Sequence, residues 1–351
     1  MVNKSPRELM EIPAGWSTPQ ITAALARALE GSGPALAFGP SNFNSVDSEI
    51  AVVLPTSGST GTPKEVALTT EALIASASAA HNFLGAKAGQ SWSLLLPTNH
   101  IAGVNVLVRA ITLGSEVVNA NFDFTSIVPT QLYRALNNDF ALLESLKSAK
   151  AVLVGGGATN ADLLNSARTA GINVVTTYGM SEMCGGCIYN NEPLAGVEIQ
   201  IRDETRIALR GPMQAKRYLG LNKPLADSEN WFITDDLGFI KDRKLYVTGR
   251  VDDQIISGGE KISLGAIDSY LNEKYELEFM SCSISSPEWG QSLCLAATGT
   301  FDSEEIKEAL RIHFGNQAVP KLFLENTELP RTAIGKPDRK KLATRFEMMS
   351  S

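Results

Sequence analysis

Residues 55–64 read Pro-Thr-Ser-Gly-Ser-Thr-Gly-Thr-Pro-Lys and follow directly on the apolar run Ile50-Ala51-Val52-Val53-Leu54, which has the character of a buried strand. A hydroxyl-rich loop that ends in a lysine after a strand is suited to holding phosphate. Gly58 and Gly61 can reach positive φ and let backbone N–H groups converge. Thr56, Ser57, Ser59, Thr60 and Thr62 add hydroxyls, and Lys64 adds a point charge. The Walker pattern is absent, because Pro63 precedes the lysine and no Gly-Lys-Ser/Thr follows. The same residue types also build ordinary turns, so the reading depends on what the chain offers elsewhere.

Several other positions carry chemistry of a matching kind. Tyr178 ends the run 173–178 and could lay its ring against a nucleobase, while Glu182, four residues on, could reach a Mg²⁺ ion that bridges phosphate oxygens. Asp236 closes Ile233-Thr-Asp-Asp and has the reach to accept two ribose hydroxyls; Asp235 beside it is the competing carboxylate. Lys336, between Gly335 and Pro337, presents one ammonium on a stiff loop, as is needed where negative charge develops on a phosphate. Arg109 stands in the otherwise apolar run Val104 to Ile111, where a cation is costly unless it meets an anion; a salt bridge between helices or a snorkelling side chain would also account for it. Cys184-Gly-Gly-Cys187 has redox or zinc spacing, but with only three histidines and two further cysteines, small buried thiols are the simpler reading.

The elements that must position these residues follow from periodicity. Apolar strand-like runs at 35–38, 50–54, 92–96, 116–118, 151–154 and 173–178 alternate with helical patterns at 70–84, 103–113, 129–137 and 160–170, which predicts α/β architecture with a parallel sheet. Thr69-Thr-Glu-Ala and Asn160-Ala-Asp-Leu read as helix starts. From about residue 199 short runs at 198–202, 206–210, 238–241 and 244–249 predict antiparallel strands. After 250 the chain turns α+β, with helices at 264–275 and 303–314, strands at 280–285 and 292–299, and a capping box at Asp302-Ser-Glu-Glu305. A length of 351 residues exceeds what one core usually fills, so a boundary is expected, at 250–252. Net charge −7 disfavours a nucleic-acid surface, though not a local cationic pocket for one nucleotide. Neither a signal-peptide core nor an apolar run of transmembrane length is found, and a cytoplasmic location is expected.

Five segments, the 55–64 loop, Thr177-Tyr-Gly-Met-Ser-Glu182, Ile233-Thr-Asp-Asp-Leu-Gly238, 248–261 and Pro330-Arg-Thr-Ala-Ile-Gly-Lys336, together resemble the motif series of the adenylate-forming superfamily of acyl-CoA synthetases, adenylation domains and luciferases. The resemblance implies a large N-terminal α/β domain with a β-rich subdomain (1–249), a hinge at 250–252 centred on Asp252, and a small mobile α+β domain (253–351). It implies ATP and Mg²⁺ as cofactors and CoA as co-substrate. The 55–64 loop would grip phosphate, Tyr178 with Gly179 and Ser181 would meet the nucleotide, and Glu182 the metal. Asp236 and Arg250 would bind ribose or phosphate, Lys336 would drive adenylation, and Gly258 and Gly259 would line the pantetheine channel. This chain has Asp235 where the family usually has glycine, and its register favours Asp236 as the ribose ligand.

Leu96-Pro97-Thr98-Asn99-His100-Ile101-Ala102-Gly103, followed by Arg109, resembles 2-succinylbenzoate:CoA ligases of menaquinone biosynthesis. That resemblance implies that His100 sits beside the acyl group, that Arg109 binds the acid, and that Gly155, Gly156 and Gly157 wall its pocket. A ligase for another aryl or short-chain acid, and a non-catalytic nucleotide-binding regulator, remain the alternatives. About fifty residues precede the 55–64 loop, far fewer than in ordinary acyl-CoA synthetases, so part of the large domain is expected to be absent or supplied by a partner in a homodimer.

Overall fold

The computed structural model describes residues 5–56, 64–157, 159, 161–203, 205–251, 253–257, 260–286, 290–331 and 337–350. Among the sequence-derived site residues, Ser57, Gly58, Ser59, Thr60, Thr62, Asp252, Gly258, Gly259 and Lys336 lie outside them.

Two sheets build the first two-thirds of the fold. In one, Arg7–Glu11, Ala35–Ala37 and Ile50–Thr56 run parallel, and Lys64–Thr69 returns antiparallel to Ile50–Thr56. In the other, Trp92–Ser93, Phe124–Ile127, Ala151–Val154 and Val174–Met180 are parallel, and Gly185–Tyr189 closes antiparallel onto the last. The parallel α/β expectation therefore holds for four consecutive strands of the second sheet and three of the first, and both sheets are completed by antiparallel strands. Helices Thr18–Glu30, Thr70–Leu84 and Ile101–Leu113 share the main hydrophobic core with residues of both sheets. Pro129–Asn137, Phe140–Ser148 and Ala161–Thr169 build a second core on the other face of the parallel sheet.

This layering explains the unbroken apolar runs. In Ala151–Val154 side chains alternate across the sheet: Ala151 and Leu153 join the main core and Val152 and Val154 the second, so the strand is apolar on both faces. Thr69 caps the helix Thr70–Leu84 as its sequence suggests, its hydroxyl accepting from the Ala72 N–H at 3.0 Å. Asp302 caps Ser303–Phe314 in the same way, accepting from Glu304 and Glu305. The run 116–118 forms no strand, and only Val117 bridges to Trp92; in the run 92–96 only Trp92–Ser93 pairs. The neighbouring place in the sheet belongs to Phe124–Ile127 instead.

The third sheet is antiparallel throughout, in the order Glu198–Arg202, Arg206–Arg210, Phe232–Lys241, Lys244–Arg250. Beyond it, Gln254–Ser257, Glu260–Ser263, Phe279–Ser286, Gly290–Ala297 and Leu322–Leu324 form a fourth sheet. With helices Leu264–Lys274, Ser303–Phe314 and Arg339–Ser350 it encloses two cores drawn entirely from residues after 254. No helix among the described residues is long and apolar enough to cross a membrane.

Candidate active site

Two groups of polar side chains meet at the C-terminal ends of the parallel strands. The first gathers around Asp236. Tyr178, near the end of Val174–Met180, donates its hydroxyl to Asp236 Oδ2 at 2.7 Å, and Arg250 Nη1 donates to Oδ1 at 2.8 Å. Asp236 and Arg250 are cross-strand partners, so the sheet itself brings these two residues together. Burial, and then the neighbouring carboxylate, pushes the Tyr178 phenol well above its ordinary pKa, so it stays a donor. Asp235 points the other way, as strand alternation requires, and pairs with Arg206 at 2.6 Å on the surface. The two adjacent carboxylates therefore differ in kind: Asp236 is buried between a phenol and a guanidinium, whereas Asp235 is solvated.

Glu182 lies in the single helical turn Ser181–Met183 that follows Val174–Met180. Its Oε1 accepts from the Tyr218 hydroxyl at 2.8 Å, and the Lys64 ammonium sits 5.3 Å from the centre of the same Tyr218 ring. Tyr218 thus ties the lysine that closes the 55–64 segment to the glutamate expected to meet a metal. Its two-residue strand pairs with Lys64–Thr69, and sequence reading had not singled it out. Thr56 and Lys64 are cross-strand partners, with the Thr56 hydroxyl donating to the Lys64 carbonyl at 3.2 Å, so the residues on either side of the 57–63 segment lie side by side.

The second group surrounds a cavity of about 110 Å³. Helix Ile101–Leu113 presents Ile101, Asn105 and Arg109 to it at successive helical turns, an i, i+4, i+8 stripe. Gly155 and Gly156, after Ala151–Val154, line the opposite side with Thr177 and Gly179; Gly157 is exposed and does not border it. Side chains are excluded there by close backbone approach. A Cβ on Gly155 would stand 2.1 Å from Thr177 Oγ1, and one on Gly179 only 1.8 Å from the Gly185 carbonyl oxygen. Gly179→Ala should therefore lower unfolding free energy by about 2–3 kcal/mol, the upper part of the usual overpacking range, as checked by denaturant titration. His100 is half-buried at the N-terminus of the helix, its carbonyl accepting from Gly103 and Val104, while its neighbours Ile101 and Ala102 border the cavity.

Arg109 is only 3% exposed. Its Nη2 donates to the Tyr189 hydroxyl at 2.9 Å and its Nη1 to Ser126 Oγ at 3.4 Å, and the guanidinium lies 5.2 Å from the Trp92 ring centre. Among the described residues no carboxylate pairs with it. The salt-bridge and snorkelling readings of this arginine are thereby replaced by a buried cation with neutral partners beside a cavity.

Behind it lies His81, buried in Thr70–Leu84. Burial, then the Arg109 charge, pushes its pKa from 6.5 down to about 4. The unfolded chain binds a proton through the interval from 6.5 to 4 that the folded protein refuses, so stability is full above 6.5 and falls as the pH drops through that interval. His81→Gln should remove up to about 3 kcal/mol of this acid sensitivity, measured by urea unfolding across the same pH range.

Cys184 and Cys187 are buried free thiols in the main core, and burial pushes Cys187 up to about 12, so they are inert rather than redox-active. Among the described residues no group of three or more His, Cys, Asp or Glu side chains could hold a metal.

Residues 26–219 match the model of the family described as AMP-binding enzyme. Over 96% of this chain and 98% of its own length, a "probable 2-succinylbenzoate–CoA ligase" of Mycobacterium tuberculosis is 37% identical. The o-succinylbenzoate CoA synthetase of Bacillus subtilis, solved with its acyl-adenylate intermediate, is 25% identical over 92% of this chain and 80% of that one, with a TM-score of 0.72. The amide bond synthetase McbA of Marinactinospora thermotolerans shares the fold, with a TM-score of 0.75 at 24% identity over 96% and 79% of the two chains.

Proposed function

Since the chain belongs to the family of AMP-binding enzymes, we propose that it is an ATP-dependent ligase that converts 2-succinylbenzoate to its acyl-adenylate and then to the CoA thioester, a step of menaquinone biosynthesis. The M. tuberculosis relative, similar over nearly its whole length, supports this substrate. The observation that carries the reading is Arg109: a buried guanidinium whose partners among the described residues are all neutral, at the edge of a cavity of about 110 Å³. Such a cation is costly unless the ligand brings an anion, and an acid that keeps a second carboxylate while the first is activated does so.

The nucleotide binds with adenine against the face of Tyr178, whose hydroxyl is already committed to Asp236, and with the ribose hydroxyls on Asp236 beside Arg250. Thr56, the 57–63 segment and Lys64 hold the β- and γ-phosphates. Glu182 fits a Mg²⁺ ion, since among the described residues only its Oε1 accepts a hydrogen bond, from Tyr218, and phosphate oxygens would complete the shell; the ion would neutralise charge on the phosphates. In the first step a carboxylate oxygen of the acid attacks the α-phosphorus and pyrophosphate leaves, with Lys336 stabilising the charge that builds there. In the second, the CoA thiolate attacks the acyl carbonyl and AMP leaves. His100 stands beside the acyl group, Asp252 is the pivot between a domain 1–249 and a domain 253–351, and Gly258 and Gly259 line the path of the thiol.

Pyrophosphate release over a panel of carboxylic acids, with product analysis in the presence of CoA, tests the proposal. 2-Succinylbenzoate should exceed benzoate and short-chain acids, and the product should be a thioester. A different preferred acid would overturn the substrate, and a nucleotide-binding protein that releases no pyrophosphate with any acid would overturn the enzyme.

A further inference from the structure

The partners of Arg109 are unusual for a cation so deeply buried. Tyr189 and Ser126 each accept one N–H, and the Trp92 ring lies under the guanidinium plane at 5.2 Å, yet none of the three carries charge. A carboxylate in either place would hold the arginine more tightly and also cancel its field. Hydroxyls fix its direction and leave its charge for the ligand.

Tyr189 is itself fully buried, and its ring is held edge-on by Phe83 at 5.2 Å. On the other side it meets Gly186, where a Cβ would come within 2.9 Å of the ring. These contacts accompany a phenol whose oxygen meets Arg109 in a residue that borders the cavity. Burial raises its pKa, so it remains a neutral partner.

We infer that Tyr189, assisted by Ser126, is a specificity-determining positioning residue: it aims the Arg109 guanidinium at the cavity without neutralising it, so that acids bearing a second anionic group are selected over monoacids. This rests on the diacid reading proposed above and adds to it the residues that keep the arginine's charge available.

The test compares kcat/KM for 2-succinylbenzoate with that for 3-benzoylpropionate, the same keto acid without the ring carboxylate, in the full-length enzyme. Tyr189→Phe keeps the ring between Phe83 and Gly186 and removes only the acceptor. The diacid-to-monoacid ratio should fall about tenfold, the size of one hydrogen bond to a charged group, with the KM for ATP unmoved. Ser126→Asp supplies a carboxylate that competes for Arg109 and should lower the ratio by about 100-fold, whereas the neutral Ser126→Asn should keep most of it. Equal losses for both acids in Tyr189→Phe, or a diacid preference that survives both Tyr189→Phe and Ser126→Asp, would overturn the role of Tyr189. A wild-type enzyme indifferent to the second carboxylate would overturn the substrate reading as well.

Discussion

Arg109→Met should cost about 10²–10³-fold in kcat/KM for 2-succinylbenzoate while raising the thermal midpoint of the ligand-free protein by a few degrees. The two effects have one origin. Removing one member of a buried charge pair costs about 3–5 kcal/mol, and in the bound state the pair would be Arg109 with the ligand carboxylate. In the free protein no carboxylate among the described residues offsets the buried guanidinium, so an apolar side chain of similar length relieves a desolvation penalty. Tyr189 loses a donor, but the residue lines the cavity, where a water can replace the guanidinium N–H. Steady-state kinetics with diacid and monoacid, together with thermal unfolding without ligand, provide the check. A variant that melts several degrees lower and loses both acids equally would make Arg109 a structural residue.

Asp236→Asn should weaken nucleotide binding by about 10²–10³-fold, the loss of two or more charge-assisted hydrogen bonds. The carboxylate accepts from Tyr178 on one oxygen and from Arg250 on the other. A carboxamide can accept on only one side. Its NH₂ group would turn to the Tyr178 phenol, which can rotate to accept, while its carbonyl keeps Arg250; what is lost is the charge that strengthens both contacts and the second acceptor for the ribose. Asp235→Asn is the matched control: its exposed pair with Arg206 belongs to a class worth about 0–1 kcal/mol, and nucleotide affinity should stay within a few-fold. Isothermal titration with ATP distinguishes the two, and an equal loss in both variants would mean that the pair of aspartates acts as a unit.

Most of the scaffold was legible because burial on two faces leaves a plain signature. The run Ala151–Val154 is apolar throughout since alternate residues serve different cores, and the helix Thr70–Leu84 announces its start with a capping threonine. Phe124–Ile127 was not legible. Its centre is Thr125-Ser126, and the polarity is satisfied only in the folded sheet, where the Thr125 hydroxyl donates to the Ser93 carbonyl and Ser126 meets Arg109. Tertiary partners, not local pattern, make it a strand. The same holds for the site. Arg109 stood out as a charge in an apolar helix and Asp236 as a carboxylate at a strand end, but no pattern in the sequence singles out Tyr189 or Tyr218. Each became a site residue through a hydroxyl contact spanning many positions of the chain, Tyr189 with Arg109 and Tyr218 with Glu182. No spacing rule finds such pairs. The residue types alone would have offered one signal, since phenols that are buried need a partner for their oxygen.

The ladder between Phe232–Lys241 and Lys244–Arg250 has a consequence beyond aligning two side chains. Arg250 is the last residue of its strand and is registered against Asp236, and the next amide, that of Val251, donates to the Asp235 carbonyl at 2.7 Å. The last paired backbone of that sheet is therefore the backbone that flanks the buried carboxylate. Under the proposed hinge at 250–252 and the proposed ribose contact, a rotation there would tug on the aspartate that the nucleotide grips. On that reading nucleotide occupancy and the orientation about the hinge would share one hydrogen-bonded corner, and by thermodynamic reciprocity each would bias the other to the same degree.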